Sequence, residues 1–375
     1  MNNLDRVDSL HVITTLGVGG AERQLLSLLT ELKSLGHRGV VQPVRPPTTM
    51  APAFEAQGIP VLPPLVSESS GAAARLVKAS IRLTRVIRET GPGILHGHLP
   101  EAELVCALAK RRTVPLVVTR HTALPYGLDR GGFVSRRLSR FAESRSDQVI
   151  AISNYVARSA VAAHELKQAP LVVPYGVSVR RALPRDDTRH DDPQTPLVIG
   201  CAARLVDGKG LDCLVAAIPI ASAKSGRPLH LIIAGEGPMR KPLESLVHQL
   251  DLAEQVELSG HVNDMDAFYA VIDVFVLPSE SEGLGLVLLE AMTHGVPVIA
   301  ADNTAMVEVC GEGETGILFQ TGNSEDLASQ ILRLASLDAR FSLSARAQRR
   351  LEHEYALATT ARSHLGVYQK LQPTH

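Results

Sequence analysis

The sequence predicts an α/β protein built as two doubly wound, Rossmann-like halves. Three observations carry that prediction. Short β-type runs alternate with amphipathic helical runs, once over the first half of the chain and again over the second. Between the two series lies Val177–Pro196, VSVRRALPRDDTRHDDPQTP, which is charged, contains Pro and has almost no large apolar residue. The length of 375 residues suits two domains at about 100–200 residues each. The expected division is a first domain over 1–180, a linker over 181–196, a second domain over 197–354 and a terminal segment over 355–375.

In the first half, Leu10–Leu16 reads as a strand and Ala21–Leu35 as a helix, with Leu25, Leu26, Leu28, Leu29 and Leu32 on its apolar side. Gly39–Val44 and Val61–Leu65 are expected strands, and Ala72–Glu89 is an expected helix. Gly93–Gly97, Pro115–Thr119, Gln148–Ile152 and Leu171–Pro174 complete the strands of this half. The second series runs through Leu197–Ala202, Leu229–Ala234, Val256–Ser259, Val274–Leu277, Pro297–Ala300 and Gly316–Phe319, and the tail Asp326–Gln369 is helical. Strands joined through helices imply parallel sheets. Two such halves are expected to leave a ligand-binding cleft between the carboxyl ends of their strands.

Composition excludes several classes. Hydrophobic residues at 45% and charged residues at 21% are ordinary for a globular protein. Cys106, Cys201, Cys213 and Cys310 are scattered without metal-type spacing, so free thiols in a reducing compartment are expected. The first twenty residues have acids where a secretory leader needs bases, and no run approaches the ~20 apolar residues of a membrane span. A cytoplasmic protein is expected. Aromatic residues at 3%, without Trp, give little surface for stacking nucleobases, and no nucleic-acid partner is expected. The net charge of −1 conceals an asymmetry: 22 Lys/Arg against 13 Asp/Glu over 1–180, and 16 against 26 over 181–375. The basic first half is expected to face something anionic.

The most informative stretch is Pro278–Ala301, PSESEGLGLVLLEAMTHGVPVIAA. Gly283 and Gly285 permit a tight turn, Leu286–Met292 reads as a helix, and Gly295-Val-Pro297 closes it. Free N–H groups at a helix start following a Gly-x-Gly turn can hold an anion. Glu282 and Glu290 bracket that start and can accept hydrogen bonds from sugar hydroxyls. Phosphate held by backbone, with carboxylates for hydroxyls, is the chemistry of a nucleotide-sugar site.

At these residues the chain resembles the retaining glycosyltransferases of family 4, group 1, which have the GT-B fold. Their Glu-x7-Glu signature, E-G-F-G-L-x-x-x-E, stands here as Glu282 to Glu290 with Leu284 in place of Phe. The resemblance implies a nucleoside-diphosphate sugar as co-substrate, held by the second domain. It places the turn Gly283-Leu284-Gly285-Leu286 on the donor phosphate, Glu290 on the ribose and Glu282 on the donor sugar. It also implies that the last helix, Tyr355–Leu371, crosses back to the first domain.

Further motifs follow in the family's order. Leu16-Gly-Val-Gly-Gly-Ala-Glu22 lacks the dinucleotide G-x-G-x-x-G spacing. It matches the family's Gly-Gly-Ala-Glu loop, which puts Gly19 and Gly20 against the donor diphosphate and Glu22 on the acceptor side. Gly200 to Gly210 carries Arg204 and Lys209 five apart, as in G-R-L-x-x-x-K-G. Two fixed cations there would neutralise the charge that develops on a departing diphosphate. Gly235-Glu-Gly-Pro238 also matches, and Val262 of Gly260-His-Val262 is expected beneath the nucleotide base. His121 follows the strand Pro115–Thr119, where the family often has a histidine at the rim of the reactive sugar. It could bind the sugar 6-hydroxyl or relay a proton. His96-Gly-His98 resembles the family's H-x-H and makes His98 an acceptor-side candidate. His96 and His98 are expected to point to opposite faces of their strand, which argues against joint metal ligation.

Two patterns have blander readings. Asp264-Met-Asp266 spells a metal-binding string of the other large glycosyltransferase fold, but here it opens a helix, where acids cap free N–H groups. No metal and no other cofactor is expected. Arg75, Lys78, Arg82 and Arg85 stripe one helix face, and Arg130, Arg136, Arg137, Arg140 and Arg145 follow. These basic residues are either a solvated surface or a docking face for an anionic membrane. The chain departs from the family at Thr304-Ala-Met-Val-Glu308, where relatives have Gly-Gly-x-Pro-Glu, and at Pro174-Tyr-Gly-Val177, where they have Pro-Asn-Gly-Val.

The resemblance therefore implies a metal-independent, retaining transferase with His121, Arg204, Lys209 and Glu282 at the reaction centre. The sugar would pass to a glycan or lipid-linked hydroxyl, in polysaccharide or glycolipid assembly. Retention requires same-face substitution, through a covalent intermediate or by front-side attack guided by the leaving phosphate. A nucleotide-sugar epimerase, a phosphorylase and a non-catalytic sugar-binding module are the alternatives.

Overall fold

A computed structural model describes residues 7–67, 71–123, 133–162, 169–179 and 194–372. The chain divides into two compact units: Met1–Gly176 with Leu357–His375, and Val177–Ala356. Most of the expected linker, and Arg130 of the second basic cluster, lie outside the described residues.

The first unit contains β1 (Ser9–Ile13), α1 (Gly20–Ser34), β2 (Gly39–Pro43), α2 (Ala51–Ala56), α3 (Ala72–Thr90), β3 (Ile94–His98), α4 (Pro100–Ala109), β4 (Leu116–Arg120), α5 (Phe133–Arg145), β5 (Gln148–Ala151), α6 (Asn154–Ala162) and β6 (Leu171–Val172). Its six strands form a parallel sheet in the order β2-β1-β3-β4-β5-β6. Strand order reverses between β1 and β3, so the loops leaving those strands splay apart and leave a crevice at their carboxyl ends. Leu10, Val12, Leu95, Leu116 and Val118 face α3, α4 and α5 on one side of the sheet. Ile13, Ile94, Val117 and Ile150 face the other side, which α1 covers.

The expected strand Val61–Leu65 is reduced to one bridge, Val61 to Val41. Pro60, Pro63 and Pro64 supply no N–H, so the segment borders β2 through isolated bonds such as Leu62 N–H to Val41 O at 2.8 Å.

The second unit contains β7 (Leu197–Ala202), α7 (Leu211–Ser225), β8 (Leu229–Ala234), α8 (Arg240–Gln249), β9 (Val256–Gly260), α9 (Met265–Val271), β10 (Val274–Leu277), α10 (Leu286–Thr293), β11 (Val298–Ala301), α11 (Met306–Val309), β12 (Ile317–Phe319), α12 (Ser324–Arg333) and α13 (Leu337–Glu354). Its parallel sheet has the order β12-β11-β10-β7-β8-β9, which reverses between β10 and β7. The helical tail is thus three helices. The last, α14 (Leu357–Leu371), belongs to the first unit and packs on α1, with Ala361, Val367 and Tyr368 in the core there.

Candidate functional site

In the second unit, the loops at the sheet's reversal carry the predicted charged residues. The loop after β7 holds Arg204, which is exposed, and Lys209. The loop after β10 holds Glu282, and Lys209 Nζ donates to Glu282 Oε1 at 2.6 Å. These two side chains are 73 residues apart in sequence, and the adjacency of β7 and β10 brings them together. Each keeps about a fifth of its side-chain surface exposed, 19% and 22%, so the pair stays reachable by a ligand.

The turn after Glu282 closes as the sequence requires. Gly285 caps α10 in the left-handed region, φ 83° and ψ 53°, which glycine alone adopts without strain. Leu284 is buried, 3% exposed, in the place of the family's Phe. The first N–H groups of α10 therefore follow the turn that holds Glu282. Glu290, on the second turn of α10, accepts from Tyr269 Oη at 3.2 Å. Gly235 lets the loop after β8 cross the loop after β7, because a Cβ there would overlap the Ala203 carbonyl oxygen. Val262 is half-buried in the loop after β9.

Where relatives carry Gly-Gly, Thr304 keeps a left-handed backbone, φ 52°. A β-branched residue is uncommon in that region. Its hydroxyl accepts from the Glu282 N–H at 3.2 Å and donates to Asn303 Oδ1 at 3.0 Å. The Thr304 side chain thus braces the Glu282 backbone.

Asp264 caps α9 by accepting from the Ala267 N–H at 2.9 Å, and Asp266 pairs with His294 Nε2 at 3.0 Å. Cys201 and Cys310 are buried, and burial pushes both thiols up to about 12. They are poor nucleophiles.

In the first unit, Gly19 caps α1 and Gly20 opens it, so this loop also ends on helix N–H groups. The Glu22 carboxylate folds back over Gly19, and burial raises its pKa. Glu22, His98 and His121 share one region, together with partners that the sequence did not single out. Ser9 and His11 of β1, His96 and His98 of β3, and Thr119 of β4 lie on the sheet face covered by α1 and α14. The register pairs His11 with His96, Ile13 with His98, and His98 with Thr119.

His96 and His98 do not point to opposite faces. Residues i and i+2 of a strand share a face, and their ring centroids lie 4.1 Å apart. His96 bonds Tyr368 Oη and Thr119 Oγ1, each at 2.7 Å. His11 Nδ1 meets His98 Nε2 at 3.0 Å, His98 Nδ1 meets His121 Nε2 at 3.2 Å, and His121 Nδ1 bonds Tyr175 Oη. Burial holds His11, His96 and His98 well below the ordinary imidazole range, with neighbouring histidines lowering each further. Burial, and then His364, lower His121 to about 3. These imidazoles are neutral at pH 7.

One sequence signal could have located the group: a histidine in or just after each of the first strands of the switch, at matching depth.

The basic stripe on α3 is partly used within its own unit. Glu101 accepts from Arg75 Nε at 2.6 Å and from Arg45 Nε at 2.9 Å, and Arg82 donates to the Leu65 carbonyl. Arg145 of α5 donates to the Ala107 carbonyl at 3.3 Å. Lys78 and Arg85 are exposed on α3 beside Val77 and Ile81, which are 58% and 65% exposed. Among the described residues, no helix is long and apolar enough to cross a membrane.

Two family models match the chain, "Glycosyltransferase Family 4" over residues 18–181 and "Glycosyl transferases group 1" over residues 184–350. A phosphatidyl-myo-inositol mannosyltransferase of Propionibacterium freudenreichii is 31% identical over 299 residues, 77% of this chain and 72% of that one. The chain belongs to the group 1, family 4 glycosyltransferases. A second relative of this glycosyltransferase, the sulfoquinovosyl transferase SQD2 of Arabidopsis thaliana, is 31% identical over 68% of the chain. That match spans only about half of the longer plant protein, 52%. Among solved structures, the Anabaena protein HepE in complex with UDP and glucose has TM-score 0.83 at 21% identity, covering 98% of this chain and all of that one. A glycosyltransferase of Rickettsia africae has TM-score 0.82 at 19% identity, with 98% and 100% covered. At these identities the structural likeness establishes the shared GT-B fold.

Proposed function

We propose that this glycosyltransferase moves a sugar, with retention and without a metal, from a nucleoside-diphosphate sugar to a hydroxyl of a glycan or lipid-linked acceptor. The observation that carries the reading is the convergence of Lys209, Glu282 and the Gly285-capped start of α10 on the loops of β7 and β10, with Arg204 exposed in the same loop as Lys209. Arg204, Lys209 and the α10 N–H groups suit the diphosphate, whose charge grows as the glycosidic bond breaks. Glu282 and Glu290 suit the hydroxyls of donor sugar and ribose. Asp264 is engaged as a helix cap, and Asp266 is paired with a histidine, which supports a reaction without a divalent ion at that string.

The first unit supplies the acceptor side through Glu22, His98 and His121. A lipid-linked acceptor accords with the phosphatidyl-myo-inositol mannosyltransferase relative, and a glycan acceptor with a capsular polysaccharide biosynthesis glycosyltransferase of Staphylococcus aureus that is 24% identical over 75% of the chain. Val77 and Ile81, flanked by Lys78 and Arg85, would rest on the anionic cytoplasmic face of a membrane and bring the enzyme to such a lipid.

The test is a panel of nucleotide sugars with purified protein in excess EDTA. Release of free nucleoside diphosphate, and transfer giving the donor's own anomer by NMR, is the expected result. Complete loss in EDTA, rescued by Mg²⁺ or Mn²⁺, removes metal independence. An inverted anomer removes retention. Tight binding without release of diphosphate leaves a sugar-binding module.

A further inference from the structure

The histidines of the first unit form one continuous path. It runs from His37 Nε2 to Ser9 Oγ (2.8 Å), from Ser9 Oγ to His11 Nε2 (2.9 Å), from His11 Nδ1 to His98 Nε2 (3.0 Å), from His98 Nδ1 to His121 Nε2 (3.2 Å), and from His121 Nδ1 to Tyr175 Oη. At one end, Tyr175 and His121 line a small cavity of about 20 Å³, room for about one water, with His98, Gln24, Thr119 and Thr360. At the other, His37 is half-buried at the end of the β1–β2 edge. Between them, His11 and His98 are 0% and 2% exposed.

His11, His98 and His121 each enter the path by one nitrogen and leave by the other, and His37 ends it through Nε2. A neutral imidazole has one N–H and one lone pair, and a hydroxyl donates and accepts. The path can therefore be ordered head to tail in either direction. An anchored histidine looks different: His364 Nδ1 meets the Thr360 carbonyl at 2.9 Å, which fixes one tautomer. None of the five bonds on the path ends on a carbonyl or carboxylate. The cavity terminus is also a feature of this chain, because Tyr175 stands where the family pattern has Asn, whose amide does not hand a proton on.

We propose that Tyr175, His121, His98, His11, Ser9 and His37 are a proton relay that carries the proton lost by the acceptor hydroxyl from this cavity to the His37 edge. This rests on reading the first unit as the acceptor side. In the transfer, the acceptor oxygen bonds to the anomeric carbon, and the bond from that carbon to the diphosphate breaks, its electron pair leaving with the diphosphate. The acceptor O–H proton passes to Tyr175 Oη, whose own proton moves to His121 Nδ1. The Nε2 protons of His121, His98 and His11 each move one place on, to His98 Nδ1, His11 Nδ1 and Ser9 Oγ. The Ser9 proton moves to His37 Nε2, and His37 releases one from its other nitrogen to water. One proton enters, one leaves, and every group ends neutral. Burial keeps each group neutral, so no step strands a charge in the interior. The charged or titratable neighbours are Asp8 toward His37, Glu22 toward Tyr175, His364 toward His11, His98 and His121, His96 against His11 and His98, and Tyr368 against His11 and His37.

His11, Ser9 and His37 touch no substrate and act through His121, so the test needs readouts that packing alone would not move. Nitrogen-15 NMR of histidine-labelled protein reads the tautomers directly. The relay expects His11, His98 and His121 to be protonated on the same type of nitrogen, all Nε2 or all Nδ1, or to exchange together. A fixed mixed set overturns it. The His37→Ala variant should lose on the order of tenfold in kcat, with donor KM unchanged. Added imidazole should restore the rate, and the solvent isotope effect should change. A normal kcat, or a deficit that imidazole leaves in place, overturns it. Ring nitrogens of His11, His96 and His98 lie within 4.8 Å of one another, so stoichiometric zinc in the purified protein would also overturn it. An ion there takes the lone pairs that the path needs. If the wild type transfers no sugar, the proposed function fails, while the tautomers still decide the relay.

Discussion

The two switch-point sites of this enzyme have opposite electrostatic designs. In the second unit, Lys209 and Glu282 meet at 2.6 Å as charged groups that remain partly exposed. In the first, His11, His96, His98 and His121 meet one another as neutral rings, most of them sealed from solvent. Both lie on parallel strands where the order reverses, the charged pair on loops at the carboxyl ends and the histidines from mid-strand His11 and His96 to His98 and His121 at those ends, so the reversal alone does not set the difference. Side-chain chemistry and burial set it. A ligand that gains negative charge during reaction calls for fixed charge on a loop that solvent still reaches. Groups that exchange protons do better uncharged, where burial costs least.

The comparison can be broken first through pH. An unfolded imidazole titrates near 6.5, whereas folded His121 and His364 titrate at about 3 and about 4. Their folded values lie below the unfolded one, so between these limits the unfolded chain binds more protons. The stability of the first unit is whole above about pH 6.5. It falls with decreasing pH by about 1.4 kcal/mol per pH unit for each such group. Calorimetry of the full chain should show the first-unit transition dropping steeply from pH 6.5 to 4, by several kcal/mol, and less steeply in His364→Leu. A transition that stays flat over that window would contradict neutral, buried histidines.

The charged site is tested by Lys209→Ala, Glu282→Ala and the double variant. Each single change should lower turnover by on the order of 10²-fold, with thermal stability nearly unchanged. The double variant should lose much less than the product of the two, because paired groups act as a unit. Independent, multiplying losses would show that the ion pair is incidental to catalysis.

A smaller effect concerns the surface of the first unit. Val77→Ser with Ile81→Ser should weaken cosedimentation with anionic vesicles several-fold, since burying each side chain contributes about 1.5–3 kcal/mol at most. Turnover on a water-soluble acceptor should not change. Binding that is equal on neutral vesicles, or indifferent to salt, would leave α3 as ordinary solvated surface.

Much of the second unit was legible in sequence because its cues are local. Glycines at fixed offsets dictate the turn that ends at Gly285, and apolar runs bounded by turns mark β7, β8 and β10 at the observed residues. The proline-rich 60–64 segment misled, because its apolar pattern resembles a strand while its missing N–H groups prevent a ladder. Helix α4 gave no period to read, since Ala102, Leu104, Val105, Cys106 and Ala107 are all buried.

The sequence by itself determined the two α/β halves, the glycine turns, and the residue types of the proposed diphosphate and sugar-hydroxyl site. Each of these follows from neighbours a few positions apart. Only the tertiary structure decided that Lys209 grips Glu282, that Thr304 braces it with a left-handed backbone, and that histidines from β1, β3 and the loop after β4 join Tyr175 in one chain of hydrogen bonds. Strand order and register bring those residues together across 73, 22 and up to 87 positions, and neither is written in any local pattern.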